Sequence, residues 1–196
     1  SYPVTYTGKD ATAGDRVKIA NEQIQSAPGN TQHFGVSGDC GVATATKAAD
    51  GTYTFTLQHK AVYLCFMPSM TEAGLYHDLR LDRIKVTSDN NIAGTYSFSA
   101  AGLSSNAVSD GSNSITLRTA GSTHLQLGFP MTNTIPDVSK AAYMVIAPGQ
   151  HTLKIEYVVK DQASGVEWTT TKTATANFIA NKVYDFTADV SPRVFR

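Results

Sequence analysis

Short segments of alternating apolar and polar residues recur along the chain, and most are separated by turn residues. The clearest segment covers residues 152–160, where Leu153, Ile155, Tyr157 and Val159 would share one face. Alternation with a period of two is typical of β-strands that bury one side. The same pattern predicts further strands at residues 16–25, 53–57, 79–86, 95–99, 114–118, 123–129, 167–176 and 183–190.

Two other segments are apolar without interruption, at residues 61–66 and 141–147. A short continuous apolar run bounded by turn residues indicates a strand that is covered on both faces. We therefore expect these two segments to supply the centre of the core. The residues predicted to be buried there are Tyr63, Leu64, Phe66, Met144 and Ile146.

About ten short strands with no convincing helix predict an all-β chain, folded as an antiparallel β-sandwich. Asp89, Asn90 and Asn91 follow Ser88 in the strongest turn cluster, because Asn and Asp tolerate left-handed backbone angles. This turn is the predicted boundary between an N-terminal sandwich at 1–88 and a C-terminal sandwich at 89–196. A single continuous sandwich is the alternative.

The first 15 residues are rich in Gly, Thr and Asp and have few apolar side chains. Such a segment buries little surface to offset its ordering entropy, so we expect it to be mobile or easily cut. The next segment, 16–25, is the least certain strand. Its apolar residues are Val17, Ile19 and Ile24, the alternation is weak, and a short helix remains an alternative.

Composition narrows the class of protein. The chain has 24 Thr and 16 Ser, and charged residues make up 16%, below the roughly 25% of average soluble domains. Net charge is zero and no Lys/Arg run occurs, so we do not expect a nucleic-acid partner. No apolar run reaches the ~20 residues of a membrane span. No signal peptide opens the chain, which fits a mature start after export or a cytosolic protein.

The chemistry-bearing side chains do not form a recognisable catalytic or cofactor site. The two cysteines, Cys40 and Cys65, lack a neighbouring His or Cys, so they cannot build a tetrahedral metal site. They could form a disulfide across 24 intervening residues or remain buried free thiols. No two of the five histidines have metal-ligand spacing, and His77 beside Asp78 reads as a loop pair. We expect no enzyme activity, no cofactor and no metal.

Several segments together resemble proteins of the fimbrillin family, the Bacteroidetes-type subunits of type V pili. Each segment alone is weakly specific, but their order and spacing over residues 50–190 are more so. They are TFTLQHKAVYL at 54–64, IKVTS at 84–88, IAGTYSF at 92–98, YMVIAPG at 143–149, HTL at 151–153 and NKVYDF at 181–186.

This resemblance implies two transthyretin-like sandwich domains and export as a lipoprotein to the outer membrane surface. It also implies polymerisation by strand exchange after a surface protease trims the N-terminus, with Arg16 as the candidate processing point. The partners would be other pilus subunits, with host or bacterial surface ligands as further candidates. The lipid-carrying cysteine of such precursors is absent, and so membrane contact would need an anchor that this chain lacks.

The first functional hypothesis is therefore a structural or accessory pilus subunit that supports adhesion. Its copies would join when an extended segment of one adds to a sheet of the next. The alternative is a cell-surface lipoprotein that binds carbohydrate on an exposed aromatic platform. Trp168 is the only tryptophan, and its exposure would discriminate the two hypotheses.

The last predicted strand has two interpretations. Its apolar face comprises Tyr184, Phe186, Ala188 and Val190. It is either the final strand of its own sandwich or the donor strand for the next subunit. The six residues after it reach only ~20 Å when extended, and Pro192 removes one backbone donor. Such a tail cannot fill a long groove, and the regular alternation favours a resident core strand.

Overall fold

The computed structural model describes residues 1–71, 78–121 and 127–192. Most of these residues lie in strands, which confirms the predicted all-β fold class. A four-residue helix, α1 (Phe34–Ser37), and a 3₁₀ turn (Val138–Lys140) accompany them. The strands are β1 (Tyr2–Tyr6), β2 (Arg16–Ile19), β3 (Glu22–Ile24), β4 (Gly41–Lys47), β5 (Tyr53–Thr54), β6 (Gln58–His59), β7 (Val62–Ser69), β8 (Leu79–Ser88), β9 (Ala93–Ser99), β10 (Gly102–Leu103), β11 (Ser109–Ser112), β12 (Ser114–Arg118), β13 (Phe129–Pro130), β14 (Ala142–Ile146), β15 (Gly149–Asp161), β16 (Glu167–Phe178) and β17 (Val183–Asp189).

Two sheets pack face to face and enclose the main core. The larger sheet has the order β16-β15-β8-β12-β3, and β13 also pairs with β8. The smaller sheet has the order β14-β7-β17. The ring of Phe66 on β7 meets the ring of Tyr157 on β15 edge to face, with centroids 6.0 Å apart. This is the layered arrangement of a β-sandwich.

The two continuous apolar segments form the centre of the smaller sheet, as predicted. All five residues expected to be buried there are at most 5% exposed, which confirms that prediction. The outer face of β7 and β14 is also covered, because the ring of Phe34 on α1 stacks on Tyr63 at 4.9 Å. Cover on both faces explains why neither strand alternates in sequence.

Two smaller sheets surround the sandwich. Strand β9 pairs with β10, β11 and β2, and it contributes Tyr96 and Phe98 to the main core. Strand β4 pairs with β1, β5 and β6 in the other sheet. Most pairs are antiparallel, as predicted, but β3–β12 and β17–β7 are parallel.

The strand predicted at 16–25 is in fact two strands in different sheets. Strand β2 pairs with β9, whereas β3 pairs with β12. Val17 and Ile19 are buried as expected, but Ile24 is 41% exposed. Gln23 and Gln25 are buried in its place, at 1% and 0% exposure. The chain passes from one sheet to the other at residues 20–21. Odd-numbered residues are the buried ones both before and after this change.

The predicted boundary after residue 88 does not divide this structure. Strand β7 pairs with β14 and β17, and β8 pairs with β12, β13 and β15, so strands of both halves share each sheet. One cluster of buried side chains also draws on both halves, for example Leu64 with Met144 and Ile84 with Ile155. The described strands therefore do not separate into a 1–88 unit and an 89–196 unit.

Three other expectations change in detail. Residues 2–6 form β1 and pair with β4 along their whole length, so this part of the N-terminal segment has a fixed place in the fold. In the strand predicted at 53–57, only β5 forms, and Tyr53 and Phe55 are about half exposed. Of the strand predicted at 123–129, residues 123–126 lie outside the described part of the chain.

Candidate strand-addition site

One side of the sandwich is bounded by two edge strands. Strand β16 pairs only with β15, and β17 pairs only with β7, among the strands that the structure describes. The twelve residues of β16 and the seven of β17 thus present backbone groups on one side without a neighbouring strand. Such edges are templates for an added strand.

The inner face of β16 is less well covered than the strands beside it. Leu153 and Ile155 on β15 are completely buried. Of the residues of β16 that point the same way, Lys172 is exposed and Phe178 is buried. The other four are half-buried: Trp168, Thr170, Ala174 and Ala176. The smaller sheet has three described strands and the larger sheet has six, so the smaller sheet leaves this margin partly uncovered. Neighbouring strands lie ~4.8 Å apart, so one more strand beside β17 would cover it.

Strand β17 occupies the margin of the smaller sheet as a resident strand of its own chain. Ala188 and Val190 are buried, and Tyr184 and Phe186 are half-buried against the main core. The ring of Phe186 stacks on Phe66 with centroids 5.7 Å apart. The predicted inward face of this segment is thus found in the structure, while its exchange between copies stays a prediction.

Polar contacts tie the two edge strands together. The indole nitrogen of Trp168 donates to the carbonyl oxygen of Val190 at 3.0 Å. The hydroxyl of Tyr184 accepts from the backbone nitrogen of Ile179 at 2.8 Å and donates to the carbonyl of Asn177 at 3.3 Å. These contacts hold the margin in a defined shape.

A cleft of about 450 Å³ runs along this margin. It is lined by residues 168–172 of β16 together with Ser191 and Pro192. Lys172 is the cationic residue in its lining, whereas Asp185 and Asp189 are exposed on β17. The hydroxyl and backbone N–H of Ser191 donate to Asp189 and lower the pKa of that carboxyl group. The carboxylate therefore keeps its charge to lower pH, so β17 carries two acidic side chains near the ammonium group of Lys172.

The two cysteines are free in the structure, so the alternative of a disulfide is not realised. Cys40 packs in the main core, whereas Cys65 belongs to a separate cluster with Met67 and Ala141 on the outer face of β7. Burial raises the pKa of the Cys40 thiol to about 12 and that of Cys65 to about 11. Neither thiol is activated as a nucleophile, since the reactive form is the thiolate.

The candidate processing residue, Arg16, is the first residue of β2 and lies opposite Ser97 of β9. Its guanidinium bonds to the neighbouring Asp15 at 3.0 Å, and both side chains are exposed. A protease would reach the side chain directly, but cleavage after Arg16 would require β2 to detach from β9. Cleavage at this residue stays a prediction.

The structure contains one polar cluster that the sequence analysis did not predict. The carboxylate of Asp39 contacts Nδ1 of His59 at 2.8 Å and accepts a hydrogen bond from the hydroxyl of Tyr63. Their separation in sequence gave no signal of this contact. The cluster fastens the turn before β4 to β6 and β7. Within the described ranges, no group of three or more His, Cys, Asp or Glu residues could hold a metal ion.

Comparisons with known proteins bear on the fold. The structure is similar to a candidate cell adhesion protein of Bacteroides uniformis, with a TM-score of 0.51 and 15% sequence identity over 96% of this chain. It is also similar to a candidate cell adhesion protein of Bacteroides fragilis, with a TM-score of 0.42 and 14% identity over 77% of this chain. The matches cover 66% and 52% of those proteins, so this chain spans only part of their length.

Two further comparisons found no relative. No family model matches the chain, and no curated protein matches its sequence. At 15% identity, the likeness to the Bacteroides uniformis protein establishes a shared fold. In the described parts of the chain, no helix is long and apolar enough to cross a membrane.

Proposed function

We propose that this chain is a structural or accessory subunit of a surface fimbria and that its copies join by strand addition at the margin formed by β16 and β17. An extended segment of one copy would lie beside β17 and cover the inner face of β16. Backbone hydrogen bonds would supply affinity, and alternate side chains facing the core would fix the register.

The observation that carries this proposal is the uneven cover of the larger sheet. Trp168 and Thr170 are half-buried where the equivalent residues of β15 are fully buried. The apolar area left at this margin would be removed from water by one added strand, which favours association. The opposite side of the sandwich, where β3 lies, is closed by the chain itself.

The resemblance to fimbrillins supports this cellular role, as does the description of the Bacteroides uniformis protein as a candidate cell adhesion protein. We place the protein at the cell surface, attached to the outer membrane through a lipid anchor. Its partners would be other subunits of the same polymer, and the assembled polymer would support adhesion. No catalytic role is part of this proposal.

A pair of neighbouring substitutions tests the proposed interface. Thr170→Asp places a charge on the inner face of β16, whereas Thr171→Asp places the same charge on its exposed outer face. We expect the unmodified protein to form oligomers in analytical ultracentrifugation at high concentration. T170D should remain monomeric and fold normally, and T171D should assemble as the unmodified protein does. Assembly by T170D, or a protein that is monomeric at every concentration, would refute the interface.

A second candidate function is carbohydrate binding, but Trp168 is not the aromatic residue best placed for it in this structure. That indole is half-buried and donates to Val190, so it is poorly placed to stack on a sugar. Tyr2, Tyr53 and Phe55 are instead each about half exposed, and the rings of Tyr2 and Tyr53 meet at 5.3 Å. Binding on a glycan array that Tyr53→Ala abolishes and T170D preserves would favour this second function.

A further inference from the structure

Strand β14 has one edge on β7 and one edge that no described strand covers. Its pairing with β7 is antiparallel and includes Met144 opposite Leu64. In an antiparallel strand, the backbone groups of alternate residues point to opposite edges. The outward groups of β14 therefore belong to Ala141, Tyr143, Val145 and Ala147.

Two buried glutamines occupy most of that outer edge. The side-chain amide of Gln23 donates to the carbonyl of Val145 at 2.8 Å, and its oxygen accepts from the Val145 nitrogen at 2.9 Å. Gln25 donates to the carbonyl of Ala141 at 3.1 Å and accepts from the Tyr143 nitrogen at 2.7 Å. Each amide thus makes one donated and one accepted hydrogen bond at this edge, as a residue of a neighbouring strand does through its own N–H and C=O groups.

The remaining outward groups also have partners. Nε2 of His33 lies 2.9 Å from the carbonyl oxygen of Tyr143, to which it donates. The nitrogen of Ala147 donates to the carbonyl oxygen of Ile92 at 2.9 Å. No outward backbone group from the carbonyl of Ala141 to the nitrogen of Ala147 is left without a hydrogen bond.

The arrangement imitates a neighbouring strand. A primary amide carries a donor and an acceptor in one plane, as a peptide does. Residues two apart on a strand are ~6.6 Å apart, which is also the repeat of outward groups on the strand beside it. Meanwhile the backbone of β3 pairs with β12 in the other sheet. The segment that contains β3 thus closes both sheets, by its backbone on one and by the side chains of Gln23 and Gln25 on the other.

We propose that the outer edge of β14 is a strand-binding site, that Gln23, Gln25 and His33 lock it in the single chain, and that its partner is residues 20–33 of a second copy. The occupant is specified by fit, because this segment already matches the edge within its own chain. Exchange of an identical element between copies needs no new contacts. That copies meet at all rests on the function proposed above.

The contacts of Gln23, Gln25 and His33 with β14 are made by side chains, so they can break in a different way from ordinary strand pairing. Two flexible side chains must be held in single rotamers, which costs side-chain entropy that backbone pairing does not. Nδ1 of His33 is also buried without a hydrogen-bond partner. The segment 20–33 should therefore release from β14 before the sandwich unfolds.

Hydrogen exchange on the unmodified protein tests this release directly. The amides of Tyr143 and Val145 bond to glutamine side chains, whereas the amide of Met144 points toward β7. We expect the first two to exchange at least ~10-fold faster than the third, because they open in a local event. Equal protection of all three would show that the lock does not open separately and would overturn the proposal.

A binding experiment tests the site itself. In the double variant Gln23→Leu with Gln25→Leu, the resident segment loses its four glutamine hydrogen bonds to this edge and keeps that of His33. A labelled synthetic peptide with the sequence of residues 20–33 should then bind at least ~10-fold tighter than to the unmodified protein, where the resident segment competes. Gln32→Leu is the matched control, because Gln32 is exposed in the same segment, and it should bind the peptide no better than the unmodified protein.

The outcomes separate this inference from the proposed interface at β16 and β17. Peptide binding by the double variant that persists with T170D present would support a site on β14 whether or not T170D blocks oligomers. Failure of a folded double variant to bind the peptide, or equal binding by Q32L, would overturn it. If the double variant does not fold, the exchange rates of the unmodified protein decide.

Discussion

At the scale of single residues, burial determines the chemistry of the two cysteines. We expect both thiols to react with Ellman's reagent at pH 8 at least ~10-fold more slowly in the folded protein than in urea, because burial suppresses the thiolate. The count in urea should be two thiols per chain. A count of zero would mean that Cys40 and Cys65 are bridged.

The same burial predicts a loss of stability at high pH. The folded chain holds the thiol protons of Cys40 and Cys65 to a pKa of about 12 and about 11, against an ordinary value of 9.0. The unfolded chain releases those protons first, so the stabilisation is complete below about pH 9 and declines as pH rises toward the folded values. The free energy of unfolding in urea should therefore be lower at pH 10 than at pH 8.

A double variant tests whether the two thiols cause this dependence of stability on pH. In Cys40→Ala with Cys65→Ala, the free energy of unfolding should differ less between pH 8 and pH 10 than in the unmodified protein. Tyr96 and Tyr143, whose pKa burial raises from 10.0 to about 12, add to the decline at higher pH. An unchanged slope in the double variant would show that the thiols do not cause it.

Core packing at Leu64 and Ile146 gives the next prediction. Both side chains are completely buried, on adjacent strands of the smaller sheet. Leu64→Ala or Ile146→Ala should each lower the free energy of unfolding by about 2–5 kcal/mol, through lost transfer energy and the cavity left behind. Val183→Ala is the control, because Val183 is 60% exposed, and should change stability by less than ~0.5 kcal/mol. Core variants as stable as the control would mean that the packing described for these strands is wrong.

At the scale of elements, the sequence predicts the strands whose apolar pattern is strong. Strand β12 is found at 114–118, as expected, and β15 and β17 differ from their predicted ranges only at the ends. The division of the predicted 16–25 strand into β2 and β3 could not be foreseen, because the buried residues of its second part are Gln23 and Gln25 rather than Ile24. Their partners on β14 lie more than 110 residues away, so no local pattern marks these glutamines as buried.

Strand β17 also offers a test of its place in the single chain. Phe186 is half-buried and packs on Phe66 within the chain. Phe186→Asp should therefore lower the free energy of unfolding of the monomer by about 1–3 kcal/mol, since a polar group placed against apolar side chains without a partner is costly. Asp185→Asn on the exposed face is the control and should melt as the unmodified protein does. A normal melting curve for F186D with assembly abolished would instead identify β17 as the segment donated to another copy.

At the scale of the whole molecule, the turn at 88–91 lies between two consecutive strands, but it does not lie between two separate domains. A local signal of this kind reports a change of direction, but the number of domains depends on which strands pair. Those pairs are set by contacts between distant parts of the chain, such as β7 with β17, and sequence alternation carries no record of them. This is why fold class was predictable and the boundary was not.

The shared core predicts that the chain unfolds as one unit and that neither half folds alone. A fragment of residues 1–88 would keep β7 and β8 but lose all the strands that pair with them, and a fragment of 89–196 would lose the centre of both sheets. We therefore expect each fragment to lack a cooperative urea transition. For the whole chain, the fluorescence of Trp168 and the far-ultraviolet circular dichroism should change with the same midpoint, as in a two-state transition. A cooperative transition in either fragment, or two separated midpoints in the whole chain, would show that the halves are independent domains.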